Sequence, residues 1–325
     1  MSLPREAYQR AVQALHVAHS VVTCAHVRPD GDAIGATLGL TLALSEAGID
    51  ATPTLADEGP PPATYSFLPG IGMYRPVSEL EPPDVFVSLD TPVPSRLGLA
   101  EPLMRSAKTV IVLDHHPDAI EFGSVHLLDS TAAATGQIAW RLLGHFGIRL
   151  TRDAAFDLYV ALMTDTGRFS YDSASPEAFR DAAAMVEAGV DPAEAARLVY
   201  QERSAGALAL EARAISRLTV TNGGHVAYAW IDGADFAETG ALPEEAEQLP
   251  DAVRRIRGVQ VAMLLSVRDG EVRGNLRSKT GFDVGAVART LDGGGHRAAA
   301  GFTYAGDMRS LLDRVLPLLP GGASG

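Results

Sequence analysis

The chain has 325 residues, 46% of them hydrophobic, with a single cysteine and a formal net charge of −13. This length predicts two domains, and the acidic charge argues against a protein that coats long nucleic acid by neutralising its phosphates. The sequence contains no apolar run of the roughly 18 residues that span a bilayer and no apolar core of a secretory signal in its first ten residues, so we expect a cytoplasmic protein without a membrane partner.

Helices and strands alternate in the first half of the chain. A predicted helix at about residues 4–18 precedes the apolar run "SVVTCAHV", and the helical pattern "DAIGATLGLTLALSEAG" ends at Gly48 before a short strand, "IDATPTLA". "DVFVSLD" and "TVIVLDHH" are further strands, and "AAATGQIAWRLLGHFG" and "RDAAFDLYVALMTDTG" are further helices. Apolar strands that alternate with helices predict an α/β domain, a parallel sheet with helices on both faces.

The second half has a different pattern. Residues 175–218 have an almost wholly helical pattern without a strand signal, and part of this segment is expected to connect two domains. Hairpin patterns follow in "HVAYAWID" and "VAMLLSVRDGEVRGNLRS", the latter with the turn signal Asp269-Gly270. A helix at 283–291, a glycine cluster and a closing helix at 306–318 complete a smaller predicted α+β domain.

Polar side chains follow the predicted strands at the point where each strand ends. In "HVRPDGDAIG", a turn explains Pro29 and Asp30 but neither His26 nor the second carboxylate, Asp32. Other strand and helix ends contribute Asp90, Asp114, His115, His116 and Asp165. Each residue alone could be an ordinary loop or capping side chain. Ligands of parallel sheets bind beyond the carboxyl ends of the strands, however, which is where these residues converge.

Several carboxylates in one crevice repel one another unless a cation lies between them. Two divalent cations would use six ligands, with one carboxylate bridging: His26, Asp30, Asp32, Asp90, His115 and Asp165. A carboxylate-rich set without thiolates favours manganese or magnesium over structural zinc. A calcium-binding EF-hand loop is excluded, because its twelfth position, counted from Asp30, would be Thr41 instead of glutamate.

One segment is locally basic. Residues 252–301 contain nine arginines or lysines against four acidic residues, a balance of +5 within an acidic chain. Such a patch suits a small anionic ligand better than a polymer. Ordinary scatter of charges is the alternative at this point.

Six segments carry a resemblance to a known family. "HVRPDGDAIG", "SLD", "LDHHP" and "ALMTDTGRF", in this order, resemble the four motifs of the DHH phosphoesterase superfamily. "RSK" (277–279) and "GGGHRAAAGF" (293–302) are similar to the DHH-associated domain of its nanoRNase and pAp-phosphatase branch. Arg28 departs from the family, whose commonest residue there is asparagine, at a position that is not a ligand.

The resemblance implies a domain arrangement and a role for each motif residue. A catalytic DHH domain would span 1–190, a helical connector 191–217 and a substrate-binding domain 218–325. His26, Asp30 and Asp90 would hold one metal. Asp32, Asp90, His115 and Asp165 would hold the other, so that Asp90 bridges. His116 would face the substrate phosphate, and Asp114 would orient the histidines.

In the second domain, the resemblance implies that a set of donors and flexible backbone binds the substrate: Arg277, Ser278, Lys279, Gly294, Gly295 and His296. Arginine can form paired hydrogen bonds with a terminal phosphate, and glycines let backbone N–H groups approach an anion closely. A plain loop is the alternative for the glycine cluster.

The expected activity is two-metal hydrolysis of very short oligoribonucleotides to mononucleotides, together with conversion of 3′-phosphoadenosine 5′-phosphate (pAp) to AMP. The expected cofactors are two divalent cations, with Mn²⁺ favoured. A linear or cyclic dinucleotide phosphodiesterase is the alternative enzyme, and a nucleotide-binding sensor is the alternative without turnover. The sequence leaves the oligomeric state open, with a homodimer as one arrangement to test.

Overall fold

The computed structural model describes residues 3–246, 248–268 and 270–322. The chain divides into two compact units, Met1–Gln201 and Glu202–Gly325. The division lies within the segment 191–217, which the sequence analysis treats as a connector. Across the described residues, no helix is long and apolar enough to span a membrane.

The first unit is built on a parallel sheet. Its elements are α1 (Arg5–His16), β1 (Val21–Cys24), α2 (Gly31–Glu46), β2 (Ala51–Thr54), β3 (Val85–Leu89), a 3₁₀ segment (Pro94–Ala100), α3 (Glu101–Ser106), β4 (Thr109–Asp114), β5 (Val125–Leu128), α4 (Thr135–Phe146), α5 (Arg152–Asp165), α6 (Pro176–Glu187) and α7 (Pro192–Tyr200). The five strands lie in the order β2-β1-β3-β4-β5, and every neighbouring pair is parallel. The predicted α/β architecture is confirmed.

Both faces of this sheet are covered, because successive strand side chains point to opposite sides. In β3, Val85 and Val87 pack into the larger core with side chains of α1, α2, α4 and α5. Phe86, between them, packs on the other face against the 3₁₀ segment and α3, through Leu97 and Leu103. The sheet edge at the carboxyl ends of the strands is therefore held rigidly from two sides.

Helices α2 and α5 approach closely because α2 carries glycine at their contact. A Cβ atom on Gly35 would lie 2.5 Å from the backbone oxygen of Asp157, and one on Gly31 would lie 2.6 Å from the side chain of Thr164. Larger residues would force the helices apart. This packing brings the start of α2, which carries Asp32, next to the end of α5, which carries Asp165.

The second unit contains a mixed sheet with helices. Its elements are α8 (Ala205–Ser216), β6 (Thr219–Thr221), β7 (Val226–Asp232), α9 (Gly233–Thr239), α10 (Leu249–Arg254), β8 (Val261–Arg268), β9 (Glu271–Ser278), α11 (Val284–Arg289), β10 (Gly294–Gly295), β11 (Ala299–Ala305) and α12 (Met308–Val315). The strand order is β10-β11-β9-β8-β7-β6. This is the smaller α+β domain that the sequence predicts.

The strand pairing refines the hairpin predictions. Strands β8 and β9 form the expected hairpin, with Arg268 opposite Glu271, although Asp269 of the predicted turn lies outside the described residues. Strand β7 forms a hairpin with β6 but pairs in parallel with β8.

Strand β5 in the first unit and strand β11 after the glycine cluster were not identified from the sequence. Both lack the long apolar pattern of the other strands, since His126 interrupts β5 and alanine and glycine dominate β11.

Candidate metal centre

The first group of ligand atoms lies where β1 and β3 end. His26 follows β1 by two residues, Asp30 caps α2 by accepting a hydrogen bond from Ala33 N at 3.1 Å, and Asp90 directly follows β3. His26 Nε2 is 3.4 Å from Asp90 Oδ2. One ligand atom from each of His26, Asp30 and Asp90 lies within 4.8 Å of the others, a spacing that one cation can bridge.

A second group shares Asp90 with the first. His115, which follows β4, places its Nε2 3.6 Å from Asp32 Oδ2 and 3.6 Å from Asp90 Oδ1. The same nitrogen is 3.3 Å from Oδ2 of Asp165, the last residue of α5. Asp90 therefore presents one oxygen to His26 and the other to His115. This is the geometry of a carboxylate between two neighbouring cation positions.

The backbone of Asp90 is itself unusual. Its φ of 53° lies in the left-handed region, which costs free energy for a residue other than glycine. The backbone N–H of Asp90 donates to Leu113 O of the adjacent strand at 2.9 Å and so holds this conformation in place. Left-handed residues of this kind cluster at functional sites, where the surrounding fold offsets their strain.

The start of α4 holds two of the carboxylates, a feature that the sequence analysis did not identify. Thr135 N and Gly136 N donate to the two oxygens of Asp32 at 2.7 and 2.9 Å, and Thr135 Oγ1 donates to Asp90 Oδ1 at 3.0 Å. Free N–H groups at a helix N-terminus favour a negatively charged partner. The sequence signal was "AAATG" at the start of the predicted helix "AAATGQIAWRLLGHFG".

His116 is held by Asp114 and also lies beside the shared carboxylate, with its Nδ1 3.5 Å from Asp90 Oδ1. Its backbone N–H donates to Asp114 Oδ1 at 2.6 Å, and its Nδ1 lies 3.0 Å from the same oxygen. Burial alone would lower the pKa of His116, but the hydrogen bond that its ring donates to Asp114 and the charges of Asp90, Asp114 and Asp165 raise it to about 9. These contacts favour the protonated form of the ring.

The clustered carboxylates repel one another, and the basic groups of the protein do not fully balance their negative charge. Burial, followed by the charges of Asp90, Asp165 and Asp30, raises the pKa of Asp32 well above its usual range. Burial is also the largest reason why the pKa of Asp165 rises to about 6. For Asp90, by contrast, the neighbouring imidazoles outweigh burial and lower the pKa.

Oxygen and imidazole donors at this spacing, buried and short of positive charge, fit divalent cations. All six ligands expected from the sequence lie in this one cluster, and Asp114 and His116 lie beside it.

The predicted substrate residues of the second unit lie at one end of its sheet. Arg277 in β9 stands opposite Ala299 in β11, and Ser278 N donates to Ala298 O at 2.7 Å. Strand β10, Gly294–Gly295, pairs with the other side of β11, and His296 directly follows β10. These residues therefore lie on the two strands that flank β11 or in the turn before it.

The side chains of this second group differ in their partners. Among the described residues, the side chain of Arg277 has one hydrogen bond, from its Nη1 to the neighbouring Leu276 O at 3.1 Å. The buried Ser278 Oγ has no hydrogen-bond partner among the described residues, which leaves a donor for a ligand. Lys279 Nζ, in contrast, donates to Ile256 O at 2.9 Å and has a partner within the fold.

Comparisons with known proteins agree with this architecture. The DHH family N-terminal domain matches residues 20–163, and the DHHA1 domain matches residues 223–318. The bifunctional oligoribonuclease and PAP phosphatase NrnA of Thermus thermophilus is 34% identical, over 90% of this chain and 86% of that protein. The NrnA of Bacillus subtilis is 24% identical over 94% of this chain and 95% of that protein.

A solved structure shows the same fold. The exopolyphosphatase-related protein from Bacteroides fragilis superposes with a TM-score of 0.87 at 22% identity, covering 95% of this chain and 94% of that one. The chain therefore belongs to the DHH family of phosphoesterases, in the branch that carries a DHHA1 domain and includes the oligoribonuclease and PAP phosphatase NrnA.

Proposed function

We propose that this protein hydrolyses very short oligoribonucleotides to mononucleotides and converts pAp to AMP, with two divalent cations, preferably Mn²⁺, as cofactors. The observation that carries the proposal is the pair of ligand groups that share Asp90. The names of the relatives from Thermus thermophilus and Bacillus subtilis support the choice of substrates.

The first group would hold one cation through His26, Asp30 and Asp90, and the second group would hold the other through Asp32, Asp90, His115 and Asp165. Bound divalent cations supply Lewis-acid activation of the phosphoryl group and of the attacking water. The protein fixes the geometry of this reaction: α4 holds Asp32 and Asp90, and the β3–β4 backbone contact holds Asp90 in its left-handed conformation.

His116 is proposed to act on the substrate directly. Asp114 holds its Nδ1, so the proton on Nε2, at the opposite side of the ring, is the one available to the leaving oxygen or to the negative charge that develops on the phosphoryl group. The carboxylate of Asp114 keeps the ring in this orientation and stabilises its charged form.

The second unit is proposed to select the substrate. Arg277 and the unpartnered Ser278 hydroxyl would bind a terminal phosphate, the backbone of Gly294 and Gly295 would approach the same anion, and His296 would contact phosphate or sugar. Lys279 would add positive charge. The acidic character of the remaining chain disfavours long nucleic acid, which supports a preference for very short substrates.

Two alternatives stay open to test. A dinucleotide phosphodiesterase would use the same centre on a narrower set of substrates. A nucleotide sensor would bind without turnover, but the complete ligand set favours an enzyme, since a sensor has no need of paired cations. Because short RNA and pAp arise inside cells, we also propose a cytoplasmic location. A homodimer is a further proposal, which sedimentation analysis would test.

The decisive experiment is a substrate panel. Protein treated with a chelator and then supplied with Mn²⁺, Mg²⁺ or buffer would be incubated with a diribonucleotide, pAp, cyclic dinucleotides and a 20-nucleotide RNA, and the products separated by chromatography. We expect metal-dependent cleavage of the diribonucleotide and pAp, with little cleavage of the long RNA. Full activity in excess chelator would overturn the two-cation mechanism, and selective cleavage of cyclic dinucleotides would favour the alternative enzyme.

A further inference from the structure

Arg96 is a cation beside the metal centre to which no motif of the sequence drew attention. It lies in the 3₁₀ segment Pro94–Ala100, and its backbone oxygen accepts a hydrogen bond from Val27 N at 2.8 Å, which anchors the segment next to His26. The half-buried guanidinium places Nη2 3.0 Å from His26 Nδ1. Within the described ranges, Arg96 forms no ion pair with a carboxylate, although four acidic ligands surround the neighbouring centre.

The contact between Arg96 and His26 competes with a second contact of the same nitrogen. His26 Nδ1 is also 2.9 Å from Val27 O. The carbonyl oxygen requires a proton on Nδ1, whereas the guanidinium requires a lone pair there. A ring nitrogen offers one or the other, so only one of these two contacts can be a hydrogen bond in any given state.

Cation binding would decide this competition. A cation on His26 Nε2 takes the lone pair of that nitrogen, so the neutral ring carries its proton on Nδ1. Nδ1 then donates to Val27 O, and the guanidinium of Arg96 loses its acceptor. A half-buried donor without an acceptor is costly, and a charged one is more so.

A phosphate oxygen is the acceptor that best fits this position. The planar fork of an arginine matches the oxygens of a phosphoryl group, with which it forms short, charge-assisted hydrogen bonds. Nδ1 and Nε2 belong to one small ring, so a long side chain released from Nδ1 can reach an anion seated beside Nε2. Asp90, the nearest carboxylate on the Nε2 side, is engaged by His26 and Thr135.

We propose that Arg96 binds a non-bridging oxygen of the substrate phosphate at the His26 side of the centre. This inference rests on the proposed function and deepens it, because it adds a positively charged substrate contact within the first unit. It assigns Arg96 to substrate binding and not to the retention of cations.

The test compares Arg96→Gln, Arg96→Lys and a control, Arg105→Gln. Arg105 is an exposed arginine of α3 that pairs with Glu101, so the control makes the same chemical change away from the centre. Manganese content would be measured by elemental analysis, and the affinity of Mn²⁺-loaded protein for AMP by calorimetry. We expect normal manganese content in all three variants. AMP should bind about tenfold or more weakly to Arg96→Gln, less weakly to Arg96→Lys, which keeps the charge, and normally to Arg105→Gln.

Each outcome decides the inference. Wild-type AMP affinity in Arg96→Gln would overturn it, and so would loss of manganese, which would show that Arg96 supports His26 instead. If the wild-type protein itself neither cleaves the substrate panel nor binds AMP, the proposed function fails and the assignment of Arg96 fails with it. If the wild type does both and only the affinity of Arg96→Gln is unchanged, the proposed function stands and the inference alone is wrong.

Discussion

Thr135 donates hydrogen bonds to two carboxylates, Asp32 and Asp90, that are distant from each other in the chain. Its hydroxyl donates to Asp90 Oδ1 at 3.0 Å, and its backbone N–H donates to Asp32 Oδ2 at 2.7 Å. Asp90 follows a strand of the sheet, whereas Asp32 lies in the first turn of α2. A single residue at the start of α4 therefore sets the position of both acidic groups relative to each other.

The hydroxyl of Thr135 is expected to matter for cation binding. Thr135→Val keeps the shape of the side chain but removes the hydrogen bond to Asp90, and partners of this kind are worth about 10- to 100-fold in metal affinity. Thr135→Ser keeps the hydroxyl and should retain the affinity. The measurement is a Mn²⁺ titration against a chelating dye.

Thr131→Val serves as the control for this series, because the Thr131 hydroxyl bonds Asp129, an aspartate outside the ligand set. Equal Mn²⁺ affinity in Thr135→Val and Thr131→Val would show that the hydrogen bond to Asp90 does not position the ligand.

Alanine substitutions of the neighbouring His115 and His116 are expected to have different effects on cation binding and on hydrolysis. His115 Nε2 faces three carboxylates of the centre, whereas His116 Nδ1 is held by Asp114. His115→Ala should lose a cation. His116→Ala should keep both cations and slow the hydrolysis of pAp by about 10²–10⁴-fold, the usual contribution of a general acid or base. Metal analysis and single-turnover kinetics on the two variants check this directly, and the reverse pattern would exchange the proposed roles.

The convergence of the candidate ligands could be predicted from the sequence, because the parallel sheet brings the carboxyl ends of its strands to one edge. His26, Asp90 and His115 each follow a strand of strongly apolar pattern, so their convergence follows from topology alone. Thr135 and Arg96 could not be found in this way. Each acts through a contact with a residue distant in the chain. The sequence around Thr135 shows only the start of a helix, and the sequence around Arg96 shows only a loop with prolines.

Arg28 illustrates a family difference that the structure explains. Its φ of 55° lies in the left-handed region, where asparagine, the residue that the family resemblance leads us to expect at this position, is tolerated better than most other residues. We expect Arg28→Asn to stabilise the protein by about 1 kcal/mol, seen as a rise of about 2–4 °C in Tm. Arg149→Asn, at an exposed loop position outside the left-handed region, is the control and should not raise Tm. An equal rise in both variants would assign the effect to lost charge instead of relieved backbone strain.

Asp157 is a buried carboxyl in the middle of α5, and neither of its oxygens has a hydrogen-bond partner among the described residues. Burial, with a further contribution from the charge of Asp153, raises the pKa of Asp157 well above its usual range. The folded protein therefore binds a proton at this site at pH values where the unfolded chain has already released it, above about pH 4. The stability that this group contributes consequently falls as the pH rises from about 4 towards the folded pKa.

Asp157→Asn removes the ionisable group and keeps the shape, so it should raise the free energy of unfolding at pH 7 by at least about 1 kcal/mol. The gain should shrink as the pH falls towards 4, because the carboxyl of the unfolded chain, with a pKa of about 3.9, then begins to regain its proton. Urea unfolding of both proteins in chelator, from pH 4.5 to 8, measures this difference while the titration of all other groups cancels. Asp153→Asn changes an exposed carboxylate on the same helix and should shift stability by no more than about 0.5 kcal/mol. A gain in Asp157→Asn that does not depend on pH would show that the pKa of this carboxyl is not raised in the folded protein relative to the unfolded chain.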